Sequence, residues 1–352
     1  MSLETVAEWI LDANTCFLLG AGCSKCAGKP LVMELTASVT SKLSGKGKGQ
    51  LKSLKGTYDR PATVEDLINY LLRMQGLQAS QKVPDEAEWK ASAIEEELAV
   101  IKKGIIDTIG TSWSTSFIHE KFLRRLMQQT ARPVCDIFSL NYDTVLEGTL
   151  ENLKLPYTDG FTGSENAHFD RTLFDDNWAG QRFRIYKLHG SINWVRDDDE
   201  TVRRKPLQSI RDNPRAVIFP AEQKYIQTQY GIYEALLTKF RDRLRQTRPN
   251  NKLVVCGYSF CEEHINLAIE DSIRAEGSNL TVYALIGPEP NLANQETRLR
   301  EMAGRCKNRF NALIGRTTFI GDGLELEDWD RIRDLDLWKF EVLVSKLTGG
   351  AA

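Results

Sequence analysis

Phe17-Leu-Leu-Gly-Ala-Gly-Cys-Ser24 is the stretch on which the reading of the fold turns. The apolar run from Thr15 to Leu19 shows no polar alternation and ends at Gly20. Such a run reads as a strand buried on both faces, the kind that belongs to a parallel sheet. Glycines directly after it let the backbone approach a phosphate, and a helix opening there would offer free N–H groups and a favourable dipole. Gly20, Ala21, Gly22 and Ser24 are therefore candidates to hold a pyrophosphate. The same residues also fit a plain strand-to-helix turn with Ser24 as its cap. The dehydrogenase fingerprint Gly-x-Gly-x-x-Gly is not met, because its sixth position is Lys25 and Val39 to Lys42 stand where an acidic ribose ligand belongs.

Outward from this point the chain alternates. Val134 to Leu140, Ile185 to Leu188, Ala216 to Phe219, Leu253 to Cys256, Thr281 to Ile286 and Thr317 to Ile320 are strand-like. Ile232 to Leu244 and His264 to Ala275 carry apolar residues at helical spacing, with Gly277 placed as a stop. Buried strands alternating with amphipathic helices predict an α/β fold, a parallel sheet with helices on both faces. Residues 3–13 read as a first helix. Residues 41–130 differ: a Gly/Lys/Ser loop over 44–49, then Ile94, Leu98, Ile101, Ile105 and Ile109 on one helical face, then a similar pattern from Phe117 to Met127. This predicts a helical insertion, 41–130, between the first and second strands of one domain spanning 1–352. Asp197 to Arg215 is polar, with Pro206 and Pro214, and reads as an exposed loop. Asp328 to Leu347 is amphipathic and could pack on its own domain or form an oligomer contact.

Charge and cysteine use narrow the function. The 352 residues hold 46 basic and 48 acidic side chains, a net charge of −2, without the basic footprint of a dedicated nucleic-acid binder. No direct nucleic-acid binding is expected. Seven cysteines in a chain this long make no disulfide framework, and Cys16, Cys135 and Cys256 lie in apolar runs as small hydrophobes. No secretory signal and no apolar stretch of membrane-spanning length is visible. A cytoplasmic protein in a reducing compartment, with no membrane association, is expected.

Three further strand ends carry polar groups. Asn141 and Asp143 follow the second strand, where parallel sheets collect functional side chains, or else form an Asx turn capping a helix over 144–150. His189 and Gly190 follow another, as a base or as a structural pair. Gly257 and Ser259 follow a fourth, as ligand contacts or as a turn. His119 at a polar helical start, His168 in a loop and His264 at a helix start are less promising.

Taken in order, Gly20-Ala-Gly-Cys-Ser24, Ser139-Leu-Asn-Tyr-Asp143, His189-Gly190 and Gly257-Tyr-Ser259 resemble the sirtuin superfamily, over about residues 15–325 apart from the insertion. The resemblance implies a Rossmann-like, sirtuin-like fold and cleavage of the nicotinamide–ribose bond of NAD. Departures accompany it. Leu140 replaces the family's Gln, and Cys23 to Pro30 replace the deacylase sequence Gly-Ile-Pro-Asp-Phe-Arg. Cys23 and Cys26 have no second paired motif, so a four-thiolate zinc is not expected. Tyr186 to Trp194 and Gly257 to Asn266 look like bacterial sirtuin-like defence proteins, which consume NAD during phage infection and stop the infected cell. That likeness implies an NAD glycohydrolase releasing nicotinamide and ADP-ribose in abortive infection. It assigns Asn141, Asp143 and His189 to catalysis. The Gly20–Ser24 loop goes to the pyrophosphate, and Gly190, Gly257, Ser259, Gly287 and Asp322 join the binding residues. No sensor domain is expected within these residues, so the resemblance also implies a homo-oligomer triggered by another protein such as a HerA-type ATPase. Two rivals stand beside this reading: an NAD-dependent protein deacylase, and an idle module that senses NAD or ADP-ribose.

Overall fold

A computed structural model describes residues 3–54, 61–79, 89–110, 115–129, 134–175, 180–197, 201–210, 216–218, 231–289, 291–306, 309–316, 318–321 and 335–349. Helix α1 (Leu3–Leu11) leads into β1 (Thr15–Leu19) and the single turn α2 (Ala21–Ser24). Five helices follow: α3 (Val32–Lys42), α4 (Gly45–Leu54), α5 (Val64–Ala79), α6 (Ala91–Ile109) and α7 (Phe117–Met127). The chain then runs through β2 (Cys135–Ser139), α8 (Val145–Asn152), β3 (Tyr157–Thr158), β4 (Phe161–Thr162), β5 (Ala167–Phe169), β6 (Phe183–Lys187), β7 (Gly190–Arg196), β8 (Val202–Arg204) and β9 (Ala216–Ile218). It ends with α9 (Ile232–Leu244), β10 (Lys252–Cys256), α10 (Glu263–Arg274), β11 (Thr281–Ile286), α11 (Leu292–Arg305), β12 (Phe310–Ile314), β13 (Thr318–Ile320) and α12 (Phe340–Leu347).

The main sheet has the order β13-β12-β11-β10-β1-β2-β6-β3 and is parallel except for β13. The chain builds outward from β1 through β2 to β6, then returns to the other side of β1 to lay down β10, β11 and β12. The seam between β1 and β10 is thus the point where the direction of strand addition reverses, the place where open α/β sheets bind ligands. Register brings the strand ends level: Leu19 pairs with Cys256 and with Ser139, and Ser139 pairs with Lys187. The four segments singled out in the sequence therefore leave the sheet side by side.

Successive residues face opposite ways, and each face is buried under helices. Leu18, Phe138, Tyr186 and Val255 pack with Leu236, Phe240 and Leu244 of α9 and Ile265 and Ile269 of α10. Phe17, Leu19, Ile137, Ile185 and Val254 pack with Ile10 of α1, Phe122 and Leu126 of α7, and Phe340 and Val344 of α12. The described part of the amphipathic C-terminal segment is thus laid on its own sheet, with Phe122 and Phe340 edge to face at 5.1 Å. Residues 328–334 of that segment lie outside the described residues.

Helices α3 to α6 form a third core around Val39, Leu67, Ile94, Ile101 and Ile105. Two sequence expectations are corrected here. The Gly/Lys/Ser run over 44–49 is not a loop but enters α4, because Ser44 Oγ accepts the Gly47 N–H (3.0 Å) and the buried Glu97 carboxylate accepts the Ser44 N–H (3.1 Å). Asp197 to Arg215 is not simply exposed: it carries β8 of a second, antiparallel sheet ordered β4-β5-β8-β7-β9, and buries Leu207 and Ile210 against the helical core. Its polarity misleads because Arg204 is tied down by the buried Asp159 carboxylate at 2.7 Å.

Candidate functional site

The cleft at the strand ends has a floor of backbone. A Cβ on Gly20 would reach 2.4 Å from the Gly257 carbonyl oxygen, and one on Gly257 (φ +66°) would reach 2.5 Å from the Cys23 nitrogen. Only glycine fits either place. The two loops are stitched together where they touch. Gly20 N–H donates to Cys256 O (2.9 Å), Gly22 N–H to Gly257 O (3.0 Å), and Cys23 N–H to Gly20 O (3.0 Å). These three donors are consequently spent within the protein and are not free for a phosphate. Ala21 N–H is left with no partner among the described residues. The expected helix is also only the single turn Ala21–Ser24 followed by a 3-10 turn, too short to present much of a dipole.

Asn141 clamps this loop. Its Nδ2 donates to Gly20 O (3.1 Å) and to Ser24 Oγ (2.8 Å), and because a carbonyl can only accept, the amide orientation is fixed. Ser24 therefore serves neither as a cap nor as a spectator. Asn141 Oδ1 is left buried in the cleft wall with no hydrogen-bond partner among the described residues. A buried acceptor without a donor costs about 1–3 kcal/mol, so it is built for a ligand or a water to complete. Asp143 does two jobs: Oδ1 accepts the Val145 N–H (3.0 Å) at the start of α8, and the residue lines the cleft. Beneath it, the fully buried Lys187 ammonium meets the Asp143 carbonyl oxygen and the Glu147 carboxylate (3.3 Å). Burial pushes the Glu147 carboxyl up, with Lys187 opposing.

His189 sits on the turn between β6 and β7, its Nε2 2.9 Å from Glu262 Oε2. The Glu262 carboxylate therefore stands directly beside the ring. The segment carrying Glu262 is braced: Tyr258 OH meets Glu262 O (3.2 Å) and Asn266 Oδ1 (3.0 Å), and Asn266 Nδ2 donates to Phe260 O (2.9 Å). Phe260 is held at φ +58° while fully buried, a strained conformation of the sort that collects at functional loops. His264 Nε2 lies 3.8 Å from the same Glu262 oxygen.

The opposite wall comes from the helical segment. Lys29, Pro30, Val32, Met33 and Leu35 approach from α3 and the turn before it, Pro61, Thr63 and Glu65 from α5 and its approach, and Ile109 from the end of α6. Glu65 Oε1 accepts the Tyr142 hydroxyl at 2.8 Å. Burial pushes the Lys29 ammonium down, with Asp143 pulling it back up. The cleft has a volume of about 310 Å³. Among the described residues its lining offers the carboxylates Glu65, Asp143, Glu262 and Glu289 against the single ammonium of Lys29, a field suited to positive charge in the cleft.

Of the residues picked from sequence, Gly20, Ala21, Ser24, Asn141, Asp143, His189, Gly257 and Ser259 line this one cleft. Gly22 lies behind it, packed on Gly257, and Gly190 opens β7 at φ +81°. Gly287 is not at the cleft: it faces the Trp338 ring, and Glu289 lines the cleft instead. Asp322 lies outside the described residues. Sequence reasoning missed Lys29, Glu65, Tyr142, Lys187 and Glu262, and passed over His264, which joins His189. Of the other histidines, His119 is fully buried rather than on a polar surface, and His168 lies in β5 with an exposed side chain. The adjacency of Glu262 and His264 to the Gly257–Ser259 turn was the available signal.

No curated protein matches the chain. Among solved structures it is similar to a sirtuin studied for the structural basis of substrate affinity (12% identical, covering 87% of this chain and 100% of that one, TM-score 0.41). It is also similar to a Sir2 enzyme studied for mechanism and regulation (12%, 99% and 96%, TM-score 0.44). A third is Sir2 in complex with the inhibitor EX-527, 2′-O-acetyl-ADP-ribose and a deacetylated p53 peptide (13%, 86% and 99%, TM-score 0.41). Residues 136–308, from β2 to the end of α11 and so including Asn141, Asp143, His189, Gly257 and Ser259 but not the loop after β1, match the family model of the SIR2-like domain.

Proposed function

We propose that the cleft is the active site of an NAD glycohydrolase that hydrolyses the nicotinamide–ribose bond to nicotinamide and ADP-ribose. The observation that carries this reading is the meeting of Asn141, Asp143 and His189 against the glycine seam, with the buried Asn141 Oδ1 lacking a hydrogen-bond partner among the described residues. The match to the SIR2-like domain supports NAD as the substrate.

The scissile bond joins ribose C1′ to a cationic pyridinium nitrogen. Its electron pair leaves with the ring, so nicotinamide departs neutral and no general acid is needed. Positive charge builds on the ribose and is met by the Asp143 carboxylate and the acidic lining. Asn141 Oδ1 accepts from the attacking water or a ribose hydroxyl, which orients it. His189 takes the proton released as the water oxygen bonds to C1′, and the Glu262 carboxylate holds its ring for that transfer. Ala21 and Ser24 meet the pyrophosphate side, and Ser259 the adenosine side.

In the cell this activity fits abortive antiphage defence through NAD depletion, in a cytoplasmic homo-oligomer triggered by a HerA-type ATPase or another protein. Sequence resemblance, rather than geometry, supports that setting. Purified protein is to be incubated with NAD, alone and with a neighbouring ATPase, and the products separated by chromatography. Nicotinamide and ADP-ribose are expected, with a loss of about 100-fold or more in His189→Ala, the scale of a general base. Near wild-type rates in both His189→Ala and Asn141→Ala would sink the assignment. O-acyl-ADP-ribose formed from an acetylated peptide would move it to a deacylase, and tight NAD binding without turnover under every activating condition to a sensing module.

A further inference from the structure

Glu262 brings His189 together with a second imidazole, His264, which has no part in the proton transfer. His189 Nε2 is 2.9 Å and His264 Nε2 3.8 Å from the same Glu262 oxygen, and the three donor atoms lie within 4.8 Å of one another. A tetrahedral ion with bonds of about 2.0–2.1 Å holds its donors about 3.4 Å apart, between the two separations seen. The side chains are 4%, 19% and 14% exposed, so they are set into the protein rather than free in solvent, and His189 and Glu262 line the cleft. One donor comes from the turn before β7 and two from the start of α10. The bracing of the 257–262 segment by Tyr258 and Asn266 fixes the Glu262 side of the set in advance.

Two imidazoles and one carboxylate form the three-ligand donor set that zinc-class ions take when the fourth position is left to a water. Magnesium and calcium prefer oxygen donors throughout and are poorly served by it. The four carboxylates lining the cleft against one ammonium draw cations to it.

We propose that His189, Glu262 and His264 bind a divalent zinc-class ion, and that occupation removes the His189 ring from catalysis and so holds NAD cleavage off. The regulatory half of this inference rests on the reading of His189 as the base; the ion site itself does not. His264 touches no reacting atom in the mechanism above, so His264→Ala separates ion binding from turnover.

The probe is cobalt(II) added to the purified full-length chain without NAD, read by its visible d–d absorption, with zinc used as the competitor. One ion per chain is expected, without the near-ultraviolet thiolate band that binding at Cys23 or Cys26 would give. Binding should weaken about tenfold or more in His264→Ala and in the gentler His264→Gln. Zinc should then inhibit wild-type NAD cleavage, and the inhibition should shift by the same factor in the His264 variants while their zinc-free rates stay near wild type. No binding, a thiolate band, or equal binding in both His264 variants overturns the site and leaves the glycohydrolase reading standing. Binding that depends on His264, in a protein that cleaves no NAD under any activating condition, supports the ion site and overturns the glycohydrolase reading instead.

Discussion

The two walls of the cleft are built from different materials. At the β1–β10 seam, backbone touches backbone: Gly20 and Gly22 bond to the carbonyls of Cys256 and Gly257, the Cys23 thiol donates to Cys256 O (3.2 Å), and no side chain fits between. Across from it, Pro30, Val32, Met33, Leu35 and Ile109 present apolar side chains from helices, and Met33 remains 46% exposed. A contact made of backbone has no rotamers with which to yield. A wall of unbranched and β-branched side chains can repack at small cost. The division predicts that changes in the seam destroy the site, whereas changes in the helical wall tune it.

The sharpest test compares two glycines that share a left-handed backbone. Gly257 (φ +66°) would put a Cβ 2.5 Å from the Cys23 nitrogen, while Gly28 (φ +75°) has nothing within 4 Å. Gly28→Ala pays only the left-handed penalty, about 1–2 kcal/mol. Gly257→Ala adds a collision with main chain and should cost more than about 4 kcal/mol, or leave no folded protein. Denaturant unfolding of the two variants side by side measures the difference. Equal losses would mean that the seam yields and the contrast between the walls fails.

The floor was legible in sequence and the helical wall was not, for the same physical reason. Gly20, Asn141, His189 and Gly257 each follow a buried strand directly, and parallel register carries whatever follows a strand to one edge. Strand-end position is therefore a spatial address that can be read from the chain alone. Glu65 and Lys29 reach the cleft only through the packing of α3, α5 and α6 on one another, and the apolar spacing that predicts those helices does not state their orientation. Lys187 was missed for another reason: inside a strand a lysine reads as an interruption, and its role depends on Glu147, which comes from α8. Glu262 and His264 lay beside a recognised turn, but their convergence on His189 follows from the path of the strained loop at Phe260.

Helix α7 belongs by sequence to the helical segment but packs on the sheet, and its His119 offers a second test of the division. His119 is buried against Phe340 at 4.9 Å between ring centres, and burial pushes its imidazole from 6.5 down to about 4, with Asp143 opposing. Between those values the unfolded chain takes up a proton that the folded chain refuses. The His119 contribution to stability is therefore full above pH 6.5, falls as the pH drops toward about 4, and is constant below it. At 1.36 kcal/mol per pKa unit the loss is on the order of 3 kcal/mol. His119→Phe should flatten stability across that range while leaving the NAD KM unchanged, as a change in the floor's support and not in the helical wall. Urea unfolding between pH 4 and 7 reads it, and a slope equal to that of wild type would mean that His119 is not held neutral by burial.

The smallest effect is expected where the two walls meet. The Tyr142 hydroxyl, one residue past Asn141 on the floor, donates to Glu65 on α5 at 2.8 Å. Tyr142→Phe keeps the buried ring and removes this tie, at a cost of about 1–2 kcal/mol for a hydrogen bond to a carboxylate that stays half-buried. The helical wall then closes less firmly over the substrate, while Asn141, His189 and the seam keep their places. KM for NAD should rise, by about tenfold at most for a loss near 1.4 kcal/mol, and kcat should stay close to wild type. Steady-state kinetics separate the two quantities. A fall in kcat with KM unchanged would place Tyr142 among the groups acting in the transition state, and the cleft would then be one cooperative unit rather than a rigid floor beneath an adjustable wall.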